Sequence, residues 1–211
     1  MKRLHPVLAA FLALPLAACV ETRFESPIGD NIETCDAGWK GLWTGTDRAA
    51  DDAAAFYVDD ECRFLVIDQP EKGGALKRIH VPVNYVHVGG KDYLVVADTA
   101  VKGLVELKPP HGISPTPEKS YFFARYRLRG DRIDLYQVDS EAAAKLVIEG
   151  KVDGTVDKTA SELHVYVRGT RAGMLELVRN EDLFDDKRPL QLERSRQTLD
   201  DFERSLRKGA P

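Results

Sequence analysis

"YFFARYRLRGDRIDLYQVD", residues 121–139, reads as two β-strands folded back on a tight turn. Phe122, Ala124, Tyr126 and Leu128 occupy alternate positions, with Arg125, Arg127 and Arg129 between them. Successive side chains of a strand point to opposite faces, so the apolar set shares one face and the arginines line the other. Gly130 and Asp131 are turn residues. They account for the Arg129-Gly130-Asp131 tripeptide without any receptor, and the arginine stripe reads as a solvated face.

The same period of two recurs along the chain. "GLWTG" (41–45) is a first strand, and "AFYV" (55–58) and "CRFLVID" (62–68) form a hairpin across an acidic turn. In "RIHVPVNYVHV" (78–88), Ile79, Val81, Val83 and Tyr85 share a face. Pro82 lacks an N–H and marks an edge or a bulge within that run. Gly89-Gly90 turns the chain into "DYLVVAD" (92–98), and "ELHVYVR" (162–168) and "LQLERS" (190–195) add later strands. Residues 101–119 are Pro-rich and loop-like.

Helices are few. Ser140 precedes "EAAAKLVIE", Thr170 precedes "RAGMLELVRN" and Thr198 precedes "LDDFERSLRK", each a residue able to cap the helix start. In the last of these, Leu199, Phe202 and Leu206 form one stripe, with acids at the start and bases at the finish as the helix dipole favours. So many strands with unpaired edges invite aggregation unless the sheet curls onto itself. The expected fold is mainly β, an antiparallel, barrel-like single domain over residues 35–211 with two or three short peripheral helices.

The 211 residues are long enough for one domain with a proper core. A net charge of −4 argues against a nucleic-acid partner, which favours a basic patch. His80 and His87 differ by an odd number, so alternation sends them to opposite faces. His164 shares parity with Glu162 and Tyr166 on what reads as an outward polar face, and His111 sits in the Pro-rich loop. The clusters Asp51-Asp52, Asp59-Asp60-Glu61 and Asp185-Asp186 lack the alternating spacing of a calcium loop and read as solvated turns. No nucleophile elbow, zinc-protease or phosphate-loop motif is present. No catalytic residue, metal site or cofactor is expected.

The N-terminus carries the sharpest signal. Lys2-Arg3 precede an apolar stretch from Leu4 to Ala18, shorter than the ~20 residues of a membrane span, which ends in small residues. Leu16-Ala17-Ala18-Cys19 resembles the lipobox of bacterial lipoproteins. That resemblance implies a signal peptide over 1–18, a diacylglycerol thioether on Cys19, and cleavage just before it. Two or three acyl chains hold a protein stably on a bilayer. Val20 stands where that family places an inner-membrane retention Asp, which implies an outer-membrane, periplasm-facing location. Residues 19–34 are expected to be a flexible tether. With Cys19 consumed by lipid, Cys35 and Cys62 remain as an even pair in an oxidising compartment, expected to form a disulfide contributing roughly 3–4 kcal/mol.

Gly41-Leu42-Trp43 at the first strand resembles the Gly-x-Trp signature of lipocalins. The resemblance implies that Trp43 plugs one barrel end and that Arg194, on the last strand, packs over it, with a helix following. Helices at 141–149 and 171–180 depart from the family's simple plan. The function expected is a membrane-tethered, non-catalytic binding or scaffolding module of the cell envelope. Its partner is the membrane, through Cys19, together with a small apolar ligand or an envelope protein. The alternative is a periplasmic enzyme.

Overall fold

The computed structural model describes residues 19–28, 32–33, 36–46, 55–68, 77–101, 117–180 and 182–208. The expected signal peptide, His111, Asp51, Asp52 and Cys35 lie outside them. The strands are β1 (Cys19–Phe24), β2 (Ile32–Glu33), β3 (Gly41–Gly45), β4 (Ala55–Val58), β5 (Phe64–Asp68), β6 (Lys77–His80), β7 (Asn84–Val88), β8 (Lys91–Ala97), β9 (Tyr121–Arg129), β10 (Arg132–Gln137), β11 (Gly154–Lys158), β12 (Glu162–Val167) and β13 (Leu190–Arg194). The helices are α1 (Asp98–Val101), α2 (Ser140–Ile148), α3 (Arg171–Asn180) and α4 (Leu199–Lys208).

All these strands belong to one 13-stranded, mostly antiparallel sheet. Its backbone is a meander in which β3 pairs β4, β4 pairs β5 and β5 pairs β6. The meander resumes as β7–β8–β9–β10, and β13 joins β10 to β3. The expected barrel closure is not made by strand pairing, because the long run at 78–88 breaks into β6 and β7. Pro82 sits in the break, where it has no N–H to give to a ladder. Elsewhere the period-two reading holds: Phe122, Ala124, Tyr126 and Leu128 all pack on one core, as do Ile79, Val81, Val83 and Tyr85.

That central core gathers Trp39, Trp43, Phe56, Phe64, Val66, Tyr85, Leu94, Tyr126, Ile133 and Leu192 from the meander. A second core lies on the opposite face of β7–β10. There Val86, Tyr93, Val95, Phe123 and Tyr136 meet β1, β12, α2 and α3. Strand β8 is therefore covered on both faces, which explains its unbroken apolar run Tyr93-Leu94-Val95-Val96. A third cluster seats α4, through Phe202, on Leu42, Ala55 and Ile67. Arg78 fixes that helix by donating to both carboxylate oxygens of Glu203, at 2.8 and 3.1 Å.

Two expectations need correction here. Residues 19–34 are not simply a tether, because Cys19–Phe24 is a strand lying parallel to β12, from Cys19↔Glu162 to Phe24↔Val167. Phe24 stacks on Phe123 at 4.1 Å, and the Thr22 hydroxyl donates to Ser140 at 2.8 Å, so packing favours order over a polar sequence. Helix α2 is capped by Asp139, which accepts from the amides of Glu141 and Ala142, rather than by Ser140. Thr170 and Thr198 do take amides at the starts of α3 and α4.

Candidate functional site

The residues singled out by the Gly-x-Trp motif meet at one end of the meander. Strand β13 pairs β3 so that Arg194 lies opposite Trp43. The Arg194 guanidinium sits 4.2 Å from the centre of the Trp43 ring. Its donors are also committed: Nη1 to the Lys40 carbonyl, Nη2 to the Gly38 carbonyl at 2.8 Å, and Nε to Asp131 Oδ1 at 2.9 Å. Gly41, at φ +113, lies against this group, and a Cβ there would come within 3.0 Å of Nη1. The carboxylate of the Arg-Gly-Asp turn is thus engaged by Arg194, and Gly130 adopts φ +60 as the turn demands.

Beneath the stack, a 3-10 turn (Ala37–Trp39) carries Trp39 into the core. Asp36 starts it, accepting from the Gly38 amide at 2.8 Å and from the Tyr126 hydroxyl at 2.7 Å. Trp43 Nε1 donates to the Trp39 carbonyl at 2.6 Å. Burial first, and donation to Asp36 second, raise the Tyr126 phenol above its ordinary range. Burial does the same to Tyr85, reinforced by the Asp36 charge. The raised phenols stay protonated at neutral pH, and the Tyr126 hydroxyl is the one that donates to Asp36.

The interior is filled by side chains. The Trp39 ring lies 5.3–6.2 Å from those of Tyr126, Phe64, Tyr85 and Trp43. A cleft of about 310 Å³ lies elsewhere, against α3, where Lys151, Asp153, Arg168, Met174, Leu177 and Asn180 line it.

The ionisable groups weighed for chemistry are dispersed. His80 is exposed, and His87 Nδ1 is 2.7 Å from Asp92. Among the described residues, no group of three or more His, Cys, Asp or Glu is placed to hold a metal. Asp59 accepts from the amides of Glu61 and Arg63 and from the Arg63 side chain, as a turn former does. The face expected to be outward at β12 is largely covered: Tyr166 and His164 are buried, and His164 lies between Glu21 and Glu162. Arg23 joins this group, paired to Glu21 at 2.9 Å and to Asp98 at 3.3 Å.

The arginine stripe of β9 is not uniformly solvated either. Arg125 is 5 % exposed, pairs with Asp186 and lies over the rings of Tyr136 and Phe184. Burial lowers its pKa from the ordinary arginine value. Arg127 and Arg129 remain on the surface side.

Cys62 stands in the β4–β5 turn with φ 63, and it has a partner. Cys35 lies outside the described residues, directly before Asp36. Sequence reasoning missed Asp36, Arg23 and Arg125 as organising groups. For Asp36 a signal existed, an acid two residues before Gly38 at the head of a turn. The burial of Arg23 and Arg125 depends on residues 61 to 75 positions away, which leaves no local trace. The chain matches no protein-family model, no curated protein and no solved structure.

Proposed function

We propose that this chain is a lipid-anchored, non-catalytic module of a bacterial cell envelope, with a barrel-like body that works through its outer surface. The observation that carries the non-carrier part is the solid interior. Trp39, Trp43, Phe56, Tyr85 and Tyr126 are each at most 1 % exposed and fill the space a carrier would reserve for an apolar ligand. Carriers of small molecules need cavities of several hundred Å³. The cleft against α3 lies outside this core and mixes charged and apolar groups.

The barrel-like reading rests on connectivity. Strands β6 and β7 are two halves of one run, one pairing β5 and the other pairing β8. Val81 in the gap donates its amide to the Phe64 carbonyl at 2.9 Å. Chain continuity across Pro82 therefore links the two ends of the meander. The Trp43–Arg194 stack, the β13–β3 pairing and the helix that follows agree with the lipocalin-like plan. The Cys35–Cys62 bridge rests on the even pair left once Cys19 carries lipid, and Cys62 has a partner. The anchor rests on the Leu16-Ala17-Ala18-Cys19 motif behind its charged and apolar lead.

Cys19→Ala tests the anchor. In a bacterial host, labelled palmitate should enter the parent chain and not the variant, and the variant should leave the membrane fraction. Equal labelling of the two defeats the reading. For the bridge, Cys62→Ser should lower the melting temperature by several degrees without reductant and change nothing with it. A parent protein melting identically with and without reductant contradicts it.

A further inference from the structure

The strand at Cys19 bears on how the module would sit on its membrane, an inference that rests on the proposed lipid at that residue. In a chain cut before Cys19, no spacer separates anchor from fold. β1 starts at Cys19 itself, and the first pairs are Cys19↔Glu162, Val20↔Leu163 and Glu21↔His164. Val20 packs against the second core. Glu21 is held by Arg23 at 2.9 Å and by His164 Nδ1 at 3.3 Å. These contacts fix the residues next to the anchor.

Because β1 and β12 run parallel, both begin at the same end of their layer. β11 is antiparallel to β12 and finishes there, with Lys158 opposite Leu163. Neighbouring strands are ~4.8 Å apart, so the β11–β12 turn lies within about 10–15 Å of the Cys19 backbone. A diacylglyceryl thioether holds its cysteine at headgroup depth. We infer that the turn Lys158–Ser161 is the surface this protein sets against the bilayer, in one fixed orientation.

The composition of the turn suits that position. Lys158, Thr159, Ala160 and Ser161 are all exposed. The Thr159 hydroxyl accepts from the amides of Ser161 and Glu162, at 3.4 and 3.1 Å, so the turn is tight and uncharged apart from one ammonium. Lys158 can meet a lipid phosphate. The other end of the layer points away: Gly154 pairs Val167 there, and Val147 approaches Gly154. The next residue, Ile148, is 74 % exposed and is carried far from the membrane surface.

The test uses lipidated protein in vesicles of phosphatidylethanolamine and phosphatidylglycerol that carry a headgroup-level quencher. One fluorophore is placed at A160C or, separately, at I148C. Quenching should be several-fold stronger at 160 than at 148, and K158C should behave like A160C. A flexible insertion of about fifteen Gly/Ser residues after Cys19 should abolish the difference while vesicle binding stays unchanged. Equal quenching at 160 and 148 in vesicle-bound parent protein overturns the inference and leaves the anchor standing. A chain whose mass shows no lipid on Cys19, and which does not float with vesicles, removes the anchor and this orientation together.

Discussion

The two main cores of this molecule are built by opposite routes. The central core is lined by a meander whose strands pair mainly with sequence neighbours, and it is rich in mutual ring contacts around Trp39. The second core depends on β1, which reaches across the chain to lie parallel to β12, and on the segment between β10 and β13 that supplies α2, β11, β12 and α3. The centre is built largely from local hairpins, whereas the outer layer relies more on contacts far apart in sequence, which are slower to close. The outer layer packs on the backs of β7–β10, so the two cores share those strands.

The largest expected effect follows from that asymmetry. Trp43→Ala removes a fully buried ring and leaves Arg194 without its platform, and should cost about 3–5 kcal/mol. Urea unfolding followed by amide exchange should show both cores losing protection together. Phe24→Ala removes the ring stacked on Phe123 and should cost about 3 kcal/mol, charged to the outer layer alone. Amide exchange should then accelerate in β1 and β12 while tryptophan fluorescence reports an intact centre. Loss of both signals at one denaturant concentration would erase the distinction between the cores.

A smaller effect is expected at the sheet end. A Cβ on Gly38 would collide with a Leu128 methyl, so Gly38→Ala forces that side chain aside and should cost about 2 kcal/mol. The companion variant G38A/L128A, with the obstruction gone, should show no further overpacking when the two melts are compared. The smallest effect belongs to α4. Arg78 donates to Glu203 and holds its carboxyl below the ordinary range. That contact stabilises fully above the usual glutamate value of about 4.3 and is lost as pH falls through the lower folded-state value. The contribution is up to about 1 kcal/mol, since Arg78 is half exposed. Melts at pH 6 and pH 3 should differ less in Glu203→Gln than in the parent.

What could be read from the sequence follows the same division. Strands 41–45 and 55–58 and helix 171–180 were legible to the residue, because alternation, helical spacing and a capping Thr are local signals. The face sharing of Phe122, Ala124, Tyr126 and Leu128 was legible for the same reason. Val20-Glu21-Thr22-Arg23-Phe24 was not, since three of its five residues are polar and its partners are β12 and the buried Asp98. Alternation placed Arg125 on the right face but could not supply Phe184 and Asp186, which cover it. Arg194 does lie over Trp43, and the geometry around them adds Asp36, Lys40 and Asp131, which no short motif names.

The anchor proposed at Cys19 would attach this body to a bilayer. The most direct measurement is the intact mass and N-terminal peptide of the protein extracted with detergent from the membranes of a bacterial host. The expected chain begins at Cys19 and is heavier than its residues by a diacylglyceryl group, with or without a further N-acyl chain. An unmodified Cys19, or a chain that still carries residues 1–18, would contradict it.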